Sequence, residues 1–234
     1  MFVPCIIWIF CIINWQYRPI FTLKMTCIDL THPIKSKMPV YPGKDQPVIK
    51  PIAWLGKDGY REWRIETDGH TGTHIDSPAH MLPNGKRLDS FPVSHFCGNA
   101  EVLRIPEKTR LIEKTFLEKH GDRITASQYL LFVTGWSRYW GRKEYLKGYP
   151  VLTEEAAIWL GSLGLKGIGL DAISVDPFES ADWPVHHILF LAGMVIVENL
   201  IFPAGFDADS VQFHCFPLPV SGADGSPVRA VAVV

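Results

Sequence analysis

His70-Thr-Gly-Thr-His74-Ile-Asp76-Ser-Pro-Ala-His80 is the stretch on which the reading of this chain turns. It gathers three of the nine histidines of a 234-residue chain and adds an aspartate. A helix would set His70 and His74 at i, i+4 on one face, as in zinc-binding helices. Gly69, Gly72 and Pro78 argue against a helix here. In a strand, His74 and Asp76 point to one side while Thr73 and Ile75 point to the other. Gly72 permits a tight bend that can return His70 to the same point. Two imidazoles and a carboxylate, with a position left for water, are the donor set of a hydrolytic Zn²⁺ or Mn²⁺ site. Pro78 ends the strand and re-aims His80, which is placed beside the metal rather than on it. The competing reading makes these side chains polar residues of a Gly-rich surface loop.

A second pair lies further along. Pro184 is expected to open a helix, since its missing N–H costs nothing there, and Gly193 to end it. From His186 to Gly193 the helix advances about 10 Å at ~1.5 Å per residue. A strand from Gly193 to Glu198 returns about 16 Å at ~3.3 Å per residue. The return can bring Glu198 to the level of His186. Met194–Val197 is apolar throughout, so Glu198 closes a buried strand, where an unpaired charge is expensive. A surface-loop glutamate beside a helix-start histidine is the plainer alternative.

Around these groups the chain alternates strands and helices without strict order. Strand-like runs are Cys27–Leu30, Glu62–Thr67, Ala100–Ile105, Leu130–Thr134, Ile168–Leu170, Met194–Val197, Val211–Phe216 and Val228–Val234. Trp63, Ile65 and Thr67 alternate with Arg64 and Glu66, the pattern of a half-buried strand. Helical patterns cover Glu113–His120 and Glu154–Leu163, the latter with Thr153 as N-cap and two first-turn glutamates. This points to a single β-rich α/β domain with a mixed sheet or small barrel.

Composition excludes several classes. The apolar fraction of 47% against 20% charged argues for a packed core over disorder. A formal net charge of −1 leaves no electrostatic footprint for nucleic acid. The 19 Gly and 18 Pro exceed the roughly 28 residues that average usage gives, so turns abound. Five cysteines, Cys5, Cys11, Cys27, Cys97 and Cys215, match no metal or CxxC spacing. They read as small buried apolar residues in a reducing compartment, and a cytoplasmic location is expected. Residues 2–15, FVPCIIWIFCIINW, are almost wholly apolar but shorter than the ~18–20 residues of a membrane span. They lack the basic start and cleavage site of a signal peptide. Met25 opens what reads as the domain proper, giving an N-terminal extension at 1–24 and a domain at 25–234. An uncleaved membrane-associated segment and a buried element are the other readings of 2–15. Membrane contact is expected only if that segment is genuine.

The motifs taken together resemble the cyclase-like metal-dependent hydrolases, a family that includes bacterial kynurenine formamidase and isatin hydrolase. Residues 70–80 match the signature HxGTHxDxPxH. Asp29–Pro33, Met38–Gly43, Thr134-Gly-Trp136, the GxDxxSxD run Gly169–Asp176, and His186 with Glu198 are similar to further family segments in the same order. The resemblance implies that His70, His74 and Asp76 bind a first metal. It implies that Asp76 reaches a second metal held by His186 and Glu198, with Glu198 bridging, and that His80 donates and accepts the proton. It also implies a swivelling β/β/α fold, a homodimer or higher oligomer, and one or two divalent ions, Zn²⁺ foremost or Mn²⁺. Tyr41 stands where kynurenine formamidases carry a substrate-facing Trp. Trp136 and Trp183 are further candidate walls for an apolar substrate.

The function expected is hydrolysis of a small-molecule amide, an arylformamide or a cyclic amide, with His80 as general acid and base. Two other classes remain at this stage. A non-catalytic metal- or ligand-binding relative would bind the ion without turnover. A membrane-associated protein rests on residues 2–15 alone.

Overall fold

Tyr129–Val133, Gly167–Leu170 and Val195–Glu198 are apolar nearly throughout, and each forms a strand buried on both faces. Such runs belong at the centre of a parallel sheet, where both faces are covered. The computed structural model describes residues 25–234; the apolar stretch at 2–15, Cys5 and Cys11 lie outside the described residues. The strands are β1 (Cys27–Asp29), β2 (Val48–Ala53), β3 (Glu62–Glu66), β4 (His74–Asp76), β5 (Cys97–Arg104), β6 (Leu111–Ile112) and β7 (Tyr129–Val133). They continue as β8 (Val151–Leu152), β9 (Gly167–Leu170), β10 (Val195–Glu198), β11 (Ser210–His214), β12 (Gly225–Pro227) and β13 (Val231–Val233). The helices are α1 (Leu55–Asp58), α2 (Lys114–Glu118), α3 (Gly121–Thr125), α4 (Glu154–Gly161) and α5 (Pro184–Leu191).

Nine strands make one mixed sheet in the order β1-β13-β11-β5-β7-β9-β10-β4-β12. The β5, β7, β9 and β10 ladder is parallel, and antiparallel strands flank it on both sides. A bridge from Thr31, just past β1, to Leu200, just past β10, shows the sheet curling toward a half-barrel. The side chains alternate between two cores. Leu130, Phe132, Ile168, Leu170 and Ile196 pack with Ala156 and Leu160 of α4 and with Leu189 and Phe190 of α5. Tyr129, Leu131, Val195 and Val197 pack on the other face with Ile75 and Phe213. This is the β-rich α/β fold with a mixed main sheet that the strand pattern implies.

α4 begins as its sequence dictates. Thr153 Oγ1 accepts from the Ala156 N–H at 3.2 Å, and Glu154 and Glu155 fill the first turn. The helix expected over 113–120 forms as the shorter α2, and a separate helix, α3, follows it at Gly121–Thr125.

Two expectations need correction, and β12 forms where no strand is expected. β3 forms, but it is not half-buried: Trp63 is 58% and Ile65 64% exposed. β2 and β3 pair only with each other, apart from the main sheet, so alternation here does not mark a buried face. β12 escapes the sequence reading because Gly225 and Pro227 suppress strand propensity, yet an edge strand tolerates both. Cys215 is buried as expected, but Cys97 is partly exposed and Cys27 exposed. No helix among the described residues is long and apolar enough to cross a membrane.

Candidate metal centre

The site forms at the carboxyl end of β10, where α5, β4 and the turn before β12 meet. β4 is extended, so His74 and Asp76 share a face while Ile75 turns into the core. The antiparallel register sets Glu198 of β10 opposite His74. Gly72 takes φ +69°, the left-handed bend that returns His70 to Asp76. Nδ1 of His70 donates to Oδ1 of Asp76 at 2.6 Å. The strand reading of this motif is therefore the one the fold adopts.

Each ligand-type imidazole is held by its far nitrogen. His74 Nδ1 donates to the Gly72 carbonyl at 2.9 Å, and its Nε2 faces Asp76 Oδ1 at 3.2 Å and Glu198 Oε2 at 3.6 Å. His186 Nδ1 donates to Asp176 Oδ2 at 2.7 Å, and its Nε2 faces Glu198 Oε1 at 3.3 Å. Asp176 is fully buried and also caps α5, accepting from the N–H groups of Val185 and His186 at 2.9 Å each. Such outer partners fix a histidine's tautomer and ring orientation around a metal. The helix-and-return geometry thus brings His186 and Glu198 together as the residue counts require.

Two groups of three donors result, His70–His74–Asp76 and Asp76–His186–Glu198, each with ligand atoms within 4.8 Å of one another. Asp76 belongs to both. Glu198 Oε1 is buried with only the misaligned His186 Nε2 near it at 3.3 Å, and an oxygen left so poorly satisfied is costly unless a cation meets it. The donor set, with imidazole nitrogens and carboxylates, suits a borderline divalent metal. The residues fit such an ion.

The electrostatics agree. Burial pushes the His70 imidazole down, but Asp76 and Asp224 outweigh it and hold the group up to about 9. Burial likewise opposes charge on His186, yet Asp176 and Glu198 raise it to about 10. Burial raises the Asp76 carboxyl, and the His74 and His70 imidazoles overcome this and hold it well below the usual range. Protons on the imidazoles balance the carboxylates, and a divalent cation would take over that charge.

His80 lies outside both groups. It ends a 3₁₀ turn, Pro78–His80, and its ring lies 3.9 Å from that of His70, centroid to centroid. Its Nδ1 donates to Asp224 Oδ2 at 3.1 Å, and Asp224 with His70 and His80 forms a third donor group at the rim.

The donors form part of the lining of a cavity of about 720 Å³, along with Tyr41, Trp140, Trp183, Lys44 and Asn199. Tyr41 is 38% exposed and packs against Phe178 at 5.4 Å. Trp183 lines the cavity with φ +41°, a left-handed conformation that is strained in a bulky residue. Trp136 does not line it. Its ring is buried in the core and its Nε1 donates to the Tyr145 carbonyl, while Trp140 takes the wall position.

Sequence reasoning misses Asp224, Asn199 and Gly225, and gives Asp176 no role. Asn199 donates to the Gly72 carbonyl at 2.9 Å and accepts from Tyr145 Oη at 2.7 Å, bracing the bend that delivers His70 and His74. Gly225 lies under the His70 ring, so closely that a Cβ would fall inside van der Waals contact of its Cε1. Gly225→Ala should therefore displace the ring while leaving the sheet intact. Metal affinity should drop by about 10–100-fold, the usual effect of disturbing a ligand's support, with the melting temperature little changed. Calorimetric metal titration and a thermal melt on the same sample check this.

The comparisons with known proteins agree with the geometry. The family described as "Putative cyclase" matches over residues 28–177. A kynurenine formamidase from Geobacillus thermodenitrificans is 31% identical over 207 residues, covering 87% of this chain and 95% of that protein. An isatin hydrolase solved with the product analogue thioisatinate shares the fold, with a TM-score of 0.81 at 19% identity over 90% of this chain and 92% of that one. A "predicted metal-dependent hydrolase" from Bacillus stearothermophilus has a TM-score of 0.70 at 27% identity over 89% and 98%. With the family match spanning most of the chain and a relative of this identity covering nearly all of it, the chain belongs to the cyclase family.

Proposed function

We propose that the protein is a metal-dependent hydrolase of a small non-peptide amide, either an arylformamide or a cyclic amide. The observation that carries this is the pair of three-donor groups sharing Asp76 on the wall of an aromatic-lined cavity, with His80 beside them. Kinship with a kynurenine formamidase and with a "predicted metal-dependent hydrolase" supports the reaction class.

In this reading His70, His74 and Asp76 hold one divalent ion, and Asp76, His186 and Glu198 a second. Zn²⁺ is the first choice and Mn²⁺ the second. A bound ion of this kind lowers the pKa of water from ~15.7 toward ~7 and polarises a carbonyl. The chain's own groups do the rest. Asp176 and the Gly72 carbonyl lock His186 and His74 with Nε2 inward. His80 takes the proton from the attacking water and returns it to the departing nitrogen as the C–N bond breaks. Tyr41, Trp140 and Trp183 confine a planar substrate and exclude water. The hydrolase domain spans residues 25–234. The enzyme works as a homodimer or higher oligomer in the cytoplasm.

Dialysis against a chelator should abolish hydrolysis of N-formyl anilines and isatin-like lactams, and Zn²⁺ or Mn²⁺ should restore it. Full turnover by metal-free protein would refute the reading. Metal binding without turnover of any amide, lactam or ester would favour a non-catalytic relative.

A further inference from the structure

Ser77 clamps two segments that the sequence keeps 144 residues apart. Its carbonyl accepts from the His80 N–H at 2.9 Å, while its own N–H and hydroxyl donate to the Asp224 carbonyl at 2.8 and 2.9 Å. Ser77 is fully buried, and Gly225, the residue after Asp224, pairs with Asp76 in the β12–β4 ladder. The backbones of His80 and Asp224 are thus fixed to one another and to β4. Their side chains meet at the cavity rim. Asp224 Oδ2 accepts from His80 Nδ1 and from His70 Nε2, each at 3.1 Å.

We propose that Asp224 is the positioning residue for proton transfer: it holds His80 in the tautomer with Nδ1 protonated and Nε2 free to exchange a proton. A carboxylate on one imidazole nitrogen orients the ring and fixes which nitrogen reacts, the role the aspartate plays in serine hydrolase triads. The same oxygen ties His80 to His70, so the acid/base group is registered against the ligand set. Asp224 does not touch the reacting atoms and acts through His80. This rests on the reading of His80 as the proton-transfer group.

The test compares His80→Ala, Asp224→Ala, Asp224→Asn and the His80→Ala/Asp224→Ala pair in metal-loaded protein. The substrates are an N-formyl anilide and an activated nitrophenyl ester. Asp224→Ala should lower kcat for the anilide by about 10–10²-fold, the cost of a misplaced catalytic group. Asp224 also holds His70 Nε2, so metal affinity should fall, and with metal kept in excess KM and metal content should stay near parental values. The loss should shrink with the ester, whose leaving group needs no proton. Asp224→Asn, which keeps an accepting oxygen, should recover part of the rate. In the His80→Ala background the Asp224 change should add nothing. A slow His80→Ala with a fully active Asp224→Ala overturns the proposal alone. So does a loss of metal in step with rate, which would make Asp224 a ligand, or an equal further loss in the double variant. A fully active His80→Ala overturns the underlying reading and the proposal with it. A half-exposed side chain such as that of Asp224 can be truncated without unfolding the sheet, and a thermal melt on each variant verifies this.

Discussion

Asp76→Asn should strip the protein of divalent metal and slow amide hydrolysis by more than about 10⁴-fold, beyond the upper end of what one proton-transfer group supplies. Asn is nearly isosteric, so the change removes charge and little volume. Asp76 is the one side chain common to both donor groups, and it is almost wholly buried. Without its carboxylate His70 and His74 lose their partner, and each group keeps two donors. The metal-free variant should also lose stability, because removing one member of a buried ion pair costs about 3–5 kcal/mol. β4 stays paired on both sides, with β10 and β12, so the fold should survive near neutral pH. Elemental analysis, kinetics and a denaturant melt give the three readouts. Retention of metal and turnover would show that Asp76 is structural.

His80→Ala should leave metal content nearly intact yet slow amide turnover by about 10²–10⁴-fold, the range for general acid–base catalysis. His74→Ala should lower metal content and rate together. The contrast comes from position: His74 lies on the strand face shared with Asp76, and His80 lies beyond Pro78, bonded to Asp224. The His80 deficit should narrow with activated esters, which leave without protonation. Measuring metal and rate on both variants with both substrates separates the roles. If His80→Ala loses its metal as fully as His74→Ala, His80 is a ligand.

Much of this site is legible in the sequence because it is local. The strand period fixes which of residues 74, 75 and 76 share a face, and Gly72 signals the bend that returns His70. His186 and Glu198 are legible because helix rise and strand rise are known, so a hairpin of known length closes where arithmetic says. The central parallel strands are legible as apolar runs. What is hidden depends on register between distant segments. Gly222-Ala-Asp-Gly225 reads as a turn, and nothing local says that its aspartate meets His80 across the β4–β12 ladder. Asp176 sits in a quoted motif, but its cap on α5 requires knowing that residues 176 and 185 fold together. β3 misleads in the opposite sense. Its alternation is real, yet no main-sheet strand pairs with it. Trp136 is core and Trp140, unremarked in the sequence, lines the cavity, because a four-residue step around a 3₁₀ turn decides which ring faces the core.

The most direct test of the metal centre is an anomalous difference map from crystals of the protein loaded with Zn²⁺ or Mn²⁺. One or two peaks are expected among His70, His74, Asp76, His186 and Glu198, with Asp76 beside each and His80 outside coordination distance. A peak held instead by His80 and Asp224, or none within this cluster, would contradict the assignment.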